Sequence, residues 1–208
     1  MPKQYEAYDQ LIDFRSVHGF ANIISLKHTA ETLFMSQATA KSKIRQGYGE
    51  SGLRGVKIKN DYYVFSDSVE AELEIERNLH LMTISFLLDN LEQGNTSLTY
   101  FEAMNHINLR HHIASERTKF AKILGRISIA THEISCSLIT VIIHSKDKSV
   151  PGDGFFRLCE WLNDKEGEEI YDIEDPEWFV EIATESVLKK LNRLKRDLPA
   201  KMEKMYNL

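Results

Sequence analysis

Residues 24 to 73 constrain the fold more than any other stretch, because two helix-starting serines, a Gly-rich segment and two alternating runs follow in close succession. Ser25 is placed to cap a helix whose apolar stripe is Ala30, Leu33 and Phe34, and Ser36 to cap a second helix from Gln37 to Arg45. A serine hydroxyl at these positions takes up a backbone N–H that the first helical turn leaves unpaired. The exposed positions of the second helix carry Lys41, Lys43 and Arg45. Beyond the glycines, Val56-Lys57-Ile58-Lys59 and Tyr62-Tyr63-Val64-Phe65 alternate as half-buried strands do, and Asn60-Asp61 between them suits a two-residue hairpin turn. Ser66 or Asp67 is then expected to cap the next helix.

Charge adds a partner to this outline. The formal net charge of −5 argues against a globally basic coat. Between Ser25 and Lys59, however, Lys27, Lys41, Lys43, Arg45, Arg54, Lys57 and Lys59 are set against Glu31 and Glu50 alone. A local excess of this kind is what a phosphate-contacting surface requires. Double-stranded DNA is therefore the expected partner. Gln37, Thr39, Lys41, Ser42, Lys43 and Arg45 are the candidates for base edges or phosphates in the major groove; Arg54, Lys57, Lys59 and Tyr62 are the candidates for the backbone or minor groove.

The segment also resembles the MerR-type winged helix, in its excisionase-like branch, through Ile24, Ser25, Ala30, Leu33, Ser36, Thr39, Val56, Lys57, Tyr62, Phe65, Ser66, Val69, Glu70 and Leu73. Phe34 and Met35 stand where that pattern has Gly-Val, and the Gly-rich segment before the hairpin is longer. The resemblance implies a winged helix-turn-helix head, dimerisation through the helix that follows it, and a phage or mobile-element setting. There such a protein acts as a transcriptional regulator or as an excision or replication accessory factor. A head used only for protein contacts is the alternative, since a fold can be kept while its site changes use.

The chain as a whole reads as mainly α with a small β component. Its expected parts are a winged helix-turn-helix over 1–66, a connecting or dimerisation helix over 67–93 and an α/β or mostly helical domain over 94–208. Tyr5, Tyr8, Leu11, Ile12 and Phe14 suggest a short leading helix. Val69, Leu73, Leu79 or His80, Ile84, Leu87, Leu88 and Leu91 form one long stripe, either a homodimer seam or a face docked on the following domain. Gly94-Asn95-Thr96-Ser97 breaks the chain. Thr99 and Glu102 have capping-box spacing, residues 116–133 read as a helix, Leu138 to His144 as a buried strand, Phe155 to Leu162 as a helix, and Pro176 as the start of the last one. With only Cys136 and Cys159, no apolar span and no signal core, a cytoplasmic protein without membrane contact is expected.

Other constellations are weaker. The stretch from Leu98 to Leu162 resembles a small prophage and mobile-element module through Thr99, Tyr100, Glu102, Leu138, Val141, Ile142, Lys146, Asp147, Pro151, Gly152, Gly154 and Phe155, a likeness that implies genomic company and no reaction; a protein partner is one use of such a domain. Residues 144–155 could rest an anion on converging N–H groups or simply form a tight turn, and the spacing is not that of a P-loop. Glu133, Asp147 and Lys148 are the candidates for a metal-dependent nuclease site, the rival reading from the enzyme class. His106, His111 and His112 lack the spacing of a zinc site, so no metal and no cofactor is expected; with Arg110, Arg117 and Lys119 the last two histidines could form a basic edge instead. Trp161, Trp178 and Phe179 read as core or interface, and Lys189 to Arg196 as a solvated helix face.

Overall fold

A computed structural model describes residues 23–206, apart from 34, 47–51, 59 and 146–148, and leaves the side chains of Arg45, Gln46 and Ile58 undescribed. The described chain is mainly helical with little strand. It divides into two compact units, 1–76 and 77–208. The leading helix expected before Ile23 lies outside the described residues.

In the first unit, β1 (Ile23–Ser25), α1 (Leu26–Thr32), α2 (Gln37–Gln46), β2 (Gly55–Ile58) and β3 (Asp61–Phe65) precede α3 (Ser66–Glu92), within which the boundary between the units falls. Ser25 caps α1 as expected: its Oγ accepts the His28 N–H at 3.2 Å, and its carbonyl accepts the Thr29 hydroxyl at 3.0 Å. Ser36 does the same for α2, accepting the Thr39 N–H at 3.1 Å. The strands form one antiparallel sheet in the order β1-β3-β2. Ala30, Leu33, Ala40, Ile44, Leu53, Val64 and Val69 make the core beneath them, with Met35 and Tyr62 packed at its edge. Each apolar residue of α2 that enters this core sits one turn from the next, Ala40 then Ile44, which leaves Gln37, Thr39 and Ser42 exposed.

Three local expectations shift. Strand β1 was not anticipated; three residues are too few for alternation to register. The hairpin pairs Ile58 with Asp61, so Asp61 belongs to β3 rather than to the turn. Gly55 sets this register: it pairs with Val64, and a Cβ there would run into the Tyr63 carbonyl. Lastly, Ser66 is already helical, and the tie between hairpin and helix is Ser68, whose Oγ donates to the Phe65 carbonyl at 2.8 Å and accepts the Arg54 N–H at 3.1 Å. Gly55→Ala should therefore destabilise the first unit by about 1–3 kcal/mol, the usual range for overpacking. Chemical denaturation of the variant measures it, and an unchanged midpoint would show that the hairpin can shift its register.

In the second unit β4 (Leu98–Thr99) leads into α4 (Tyr100–His106), then α5 (Ala114–Ser135), a 3₁₀ turn (Ile139–Ile142), β5 (Ile143–His144), α6 (Asp153–Glu166) and α7 (Pro176–Tyr206). The Thr99–Glu102 capping box forms in full. Asp175 Oδ1 accepts the N–H groups of Glu177 and Trp178, with Pro176 in the first turn of α7 where its missing donor costs nothing. The expected strand over Leu138–His144 is corrected: only Ile143 and His144 of that run form a strand, paired in parallel with Leu98 and Thr99. An uninterrupted buried apolar run does not by itself choose strand over turn. Here the Thr131 hydroxyl accepts the Ile139 N–H at 3.4 Å, and a Ser128–Thr140 hydroxyl contact ties the 3₁₀ turn to α5.

Helix α5 packs against α7, and Phe120, Ile123 and Ile127 of the first and Val187, Leu194, Leu198 and Met202 of the second are buried. From α3, His80, Ile84, Leu87, Leu88 and Leu91 are buried within the chain. His80 Nδ1 lies 2.9 Å from the Tyr206 hydroxyl of α7. Of the two alternatives for this stripe, docking on the following domain is the one realised for these residues. The exposed apolar residues of α3 are Ile75 and Met82.

Candidate nucleic-acid interface

The cap and core of α2 decide which of its side chains face outward. Gln37 is exposed, and Thr39 is exposed with its hydroxyl 2.8 Å from that of Ser36, so Thr39 serves the cap as well as the surface. Ser42 is also exposed. Lys41 lies with its ammonium 5.0 Å from the centre of the Tyr62 ring. That cation–π contact is worth about 0.5–1 kcal/mol at an exposed site, and it links α2 to the hairpin. Tyr62, expected as a groove contact, is thus half-buried beneath Lys41. Lys57 is exposed on β2; Lys59 and the side chain of Arg45 lie outside the described residues.

The other basic candidates have carboxylate partners. Lys43 Nζ sits 2.8 Å from Glu72 Oε2, Arg54 pairs with Asp67 and covers the Phe65 ring, and Lys27 lies 3.9 Å from Glu31. Glu72 is buried and Lys43 half-buried, so breaking that pair strands a charge in a poorly hydrated place. Arg54 and Asp67 are both well exposed, so their attraction contributes little to stability and is screened by salt. Sequence spacing did not show Glu72 and Asp67 as partners of this surface. The acidic start of α3, with Asp67, Glu70, Glu72, Glu74 and Glu76, was the available signal, but only the packing selects which of them reach back.

No family model, curated protein or solved structure matches this chain.

The remaining candidates are dispersed or outside the described residues. Glu133 Oε2 lies 2.6 Å from Lys201 Nζ of α7, and this hydrogen bond holds its carboxyl below the usual range. Asp147 and Lys148 lie outside the described residues. Among the described residues no three His, Cys, Asp or Glu side chains gather as metal ligands. His106 instead stacks on Phe86 at 4.5 Å, and His111 meets Phe101 edge-on at 4.7 Å. Arg110 is held by Glu116 through contacts of 2.9 and 2.6 Å, which removes it from any basic edge. Burial pushes the Cys159 thiol up to about 12, keeping it protonated, while Cys136 is exposed. Phe179 is buried, but Trp161 and Trp178 are about half exposed, so the aromatic stripe is split between core and surface. Along Lys189–Arg196, Lys189 pairs with Glu185, and Arg193 and Arg196 with Asp197. No described helix is long and apolar enough to cross a membrane.

Proposed function

We propose that the first unit is a winged helix-turn-helix head that binds double-stranded DNA with sequence preference. On this reading the protein is a transcriptional regulator or an excision or replication accessory factor of a phage or mobile element. The observation that carries it is the outward face of α2. Two apolar residues anchor that helix, its capped N-terminus faces out, and Gln37, Thr39 and Ser42 are exposed beside Lys41. Short amide and hydroxyl side chains beside a cation are the groups that read base edges while a phosphate is held. Lys57 on the hairpin then meets the neighbouring backbone, while Arg54 stays paired with Asp67. A homodimer formed along α3 would use the side bearing Ile75 and Met82, seven positions and two turns apart.

A head used for protein contacts is the second reading, favoured by the pairs Lys43–Glu72 and Arg54–Asp67, which neutralise part of the basic surface from within. Selection from a random duplex pool separates the two. Retention of DNA carrying a palindromic or directly repeated motif is the expected result and would give the half-site spacing. If no DNA is retained at low salt, the DNA reading fails.

A further inference from the structure

We propose that the second unit binds a small amphipathic organic acid, its flat apolar body held in a cavity between α4, α5, β5 and α6 and its acidic group at Arg117. The cavity measures about 1020 Å³, at the upper end of the roughly 300–1,000 Å³ typical of small-molecule sites. Its walls are chiefly apolar, with Tyr100, Phe101, Leu124, Ile143, Phe155 and Leu158 contributing most of the flat and branched surface.

Two observations point to a ligand. The first is Gly125, in the middle of α5 and on the cavity wall. Glycine weakens a helix interior relative to alanine, and it is usually tolerated there because another element packs close. Here a Cβ would meet nothing within 4 Å. The room is kept open without any part of the described chain filling it.

The second is the state of the polar groups on the wall. Glu102 Oε2 already accepts the N–H and the hydroxyl of Thr99 at 2.8 and 2.6 Å. His144 Nδ1 donates to the Ser145 carbonyl at 2.9 Å, and its Nε2 lies 2.5 Å from the Ser97 hydroxyl. Ser128 donates to the Leu124 carbonyl at 2.9 Å and contacts Thr140. Arg117 differs: Nη1 donates to the His111 carbonyl at 2.7 Å, and no acid partners it among the described residues. An arginine has five donors in a planar fork, so most of them remain to meet a carboxylate or sulfonate. Tyr100, kept protonated by burial against the opposing pull of Arg117, donates its hydroxyl to the Arg117 carbonyl at 3.5 Å and so adds no competing negative charge. Arg117 is exposed as well as lining the cavity, so water serves its free donors until an acid of opposite charge replaces that water. This reading is independent of whether the first unit binds DNA.

The test uses the full chain and two fluorescent probes of similar shape, anilinonaphthalene sulfonate and uncharged phenylnaphthylamine. Saturable binding of the sulfonate at one site per chain is expected. Arg117→Gln should weaken it about tenfold while leaving phenylnaphthylamine within about twofold. Gly125→Leu, which fills the cavity from α5, should weaken both probes by about tenfold or more. Gly154→Leu fills it from α6, where a Cβ also meets nothing within 4 Å, and serves if the first variant does not melt cooperatively. Unchanged sulfonate binding by a cooperatively melting filled variant, or no saturable binding by the parent protein, would overturn the site. Equal effects of Arg117→Gln on the two probes would overturn the assignment of an acid.

Discussion

Raising the salt from about 50 to about 200 mM will weaken duplex DNA binding by roughly two orders of magnitude, if the head engages phosphate through about four cations. That number comes from setting Lys27, Lys43 and Arg54 apart from the basic set, because each already faces a carboxylate, and keeping Lys41, Arg45, Lys57 and Lys59. The same reasoning predicts the behaviour of two variants. Asp67→Asn releases Arg54 and should steepen the logarithmic salt slope by about one unit, with a several-fold gain in affinity at low salt. Glu72→Gln should do the same for Lys43, with some loss of stability because Glu72 is buried. Fluorescence anisotropy across a salt series measures both slopes. A flat response in the parent protein would remove the groove reading altogether, and an unchanged slope in Asp67→Asn would show that Arg54 takes no part.

Leu87→Ala should cost about 2–5 kcal/mol, a large share of the roughly 5–15 kcal/mol that holds a typical domain together. Leu87 is fully buried within this chain, so truncation leaves a cavity rather than a loosened subunit seam. The melting temperature should fall by roughly 10 °C, and the size of that fall should not depend on protein concentration. Met82→Ser, at an exposed position of the same helix, should stay within about 0.5 kcal/mol of the parent. Melting curves at widely spaced protein concentrations decide the point. If the Leu87→Ala loss shrinks as concentration rises, the stripe is being completed by a second chain.

Much of the local architecture was legible because it rests on short-range chemistry. Ser25, Ser36 and the Thr99–Glu102 pair announce their helices through hydroxyl and carboxylate groups that satisfy N–H donors within three residues. The end of α3 at Gly94 and the start of α7 at Pro176 are equally local. The run from Leu138 to His144 was not legible, because burial on all sides is compatible with a strand or a turn, and the Thr131 and Thr140 hydroxyl contacts that favour the turn come from the packing of α5.

For the candidate site the division is similar. Although Lys41 and Lys43, expected at exposed positions, are half-buried, the residue types of α2 and its capped start could be read directly. The electrostatics could not. Coulomb energy depends on distance through space, so a count of charges along residues 25–59 misses Asp67 and Glu72, which lie later in the chain but within contact of Arg54 and Lys43. The cavity beside Gly125 is likewise invisible in one dimension, because empty volume belongs to the arrangement of α4, α5, β5 and α6 and to none of them singly. By itself the sequence determined where several helices begin and that the chain is mainly helical. Tertiary structure alone decided which cations are already neutralised and where a ligand could enter, since both are set by contacts between residues distant along the chain.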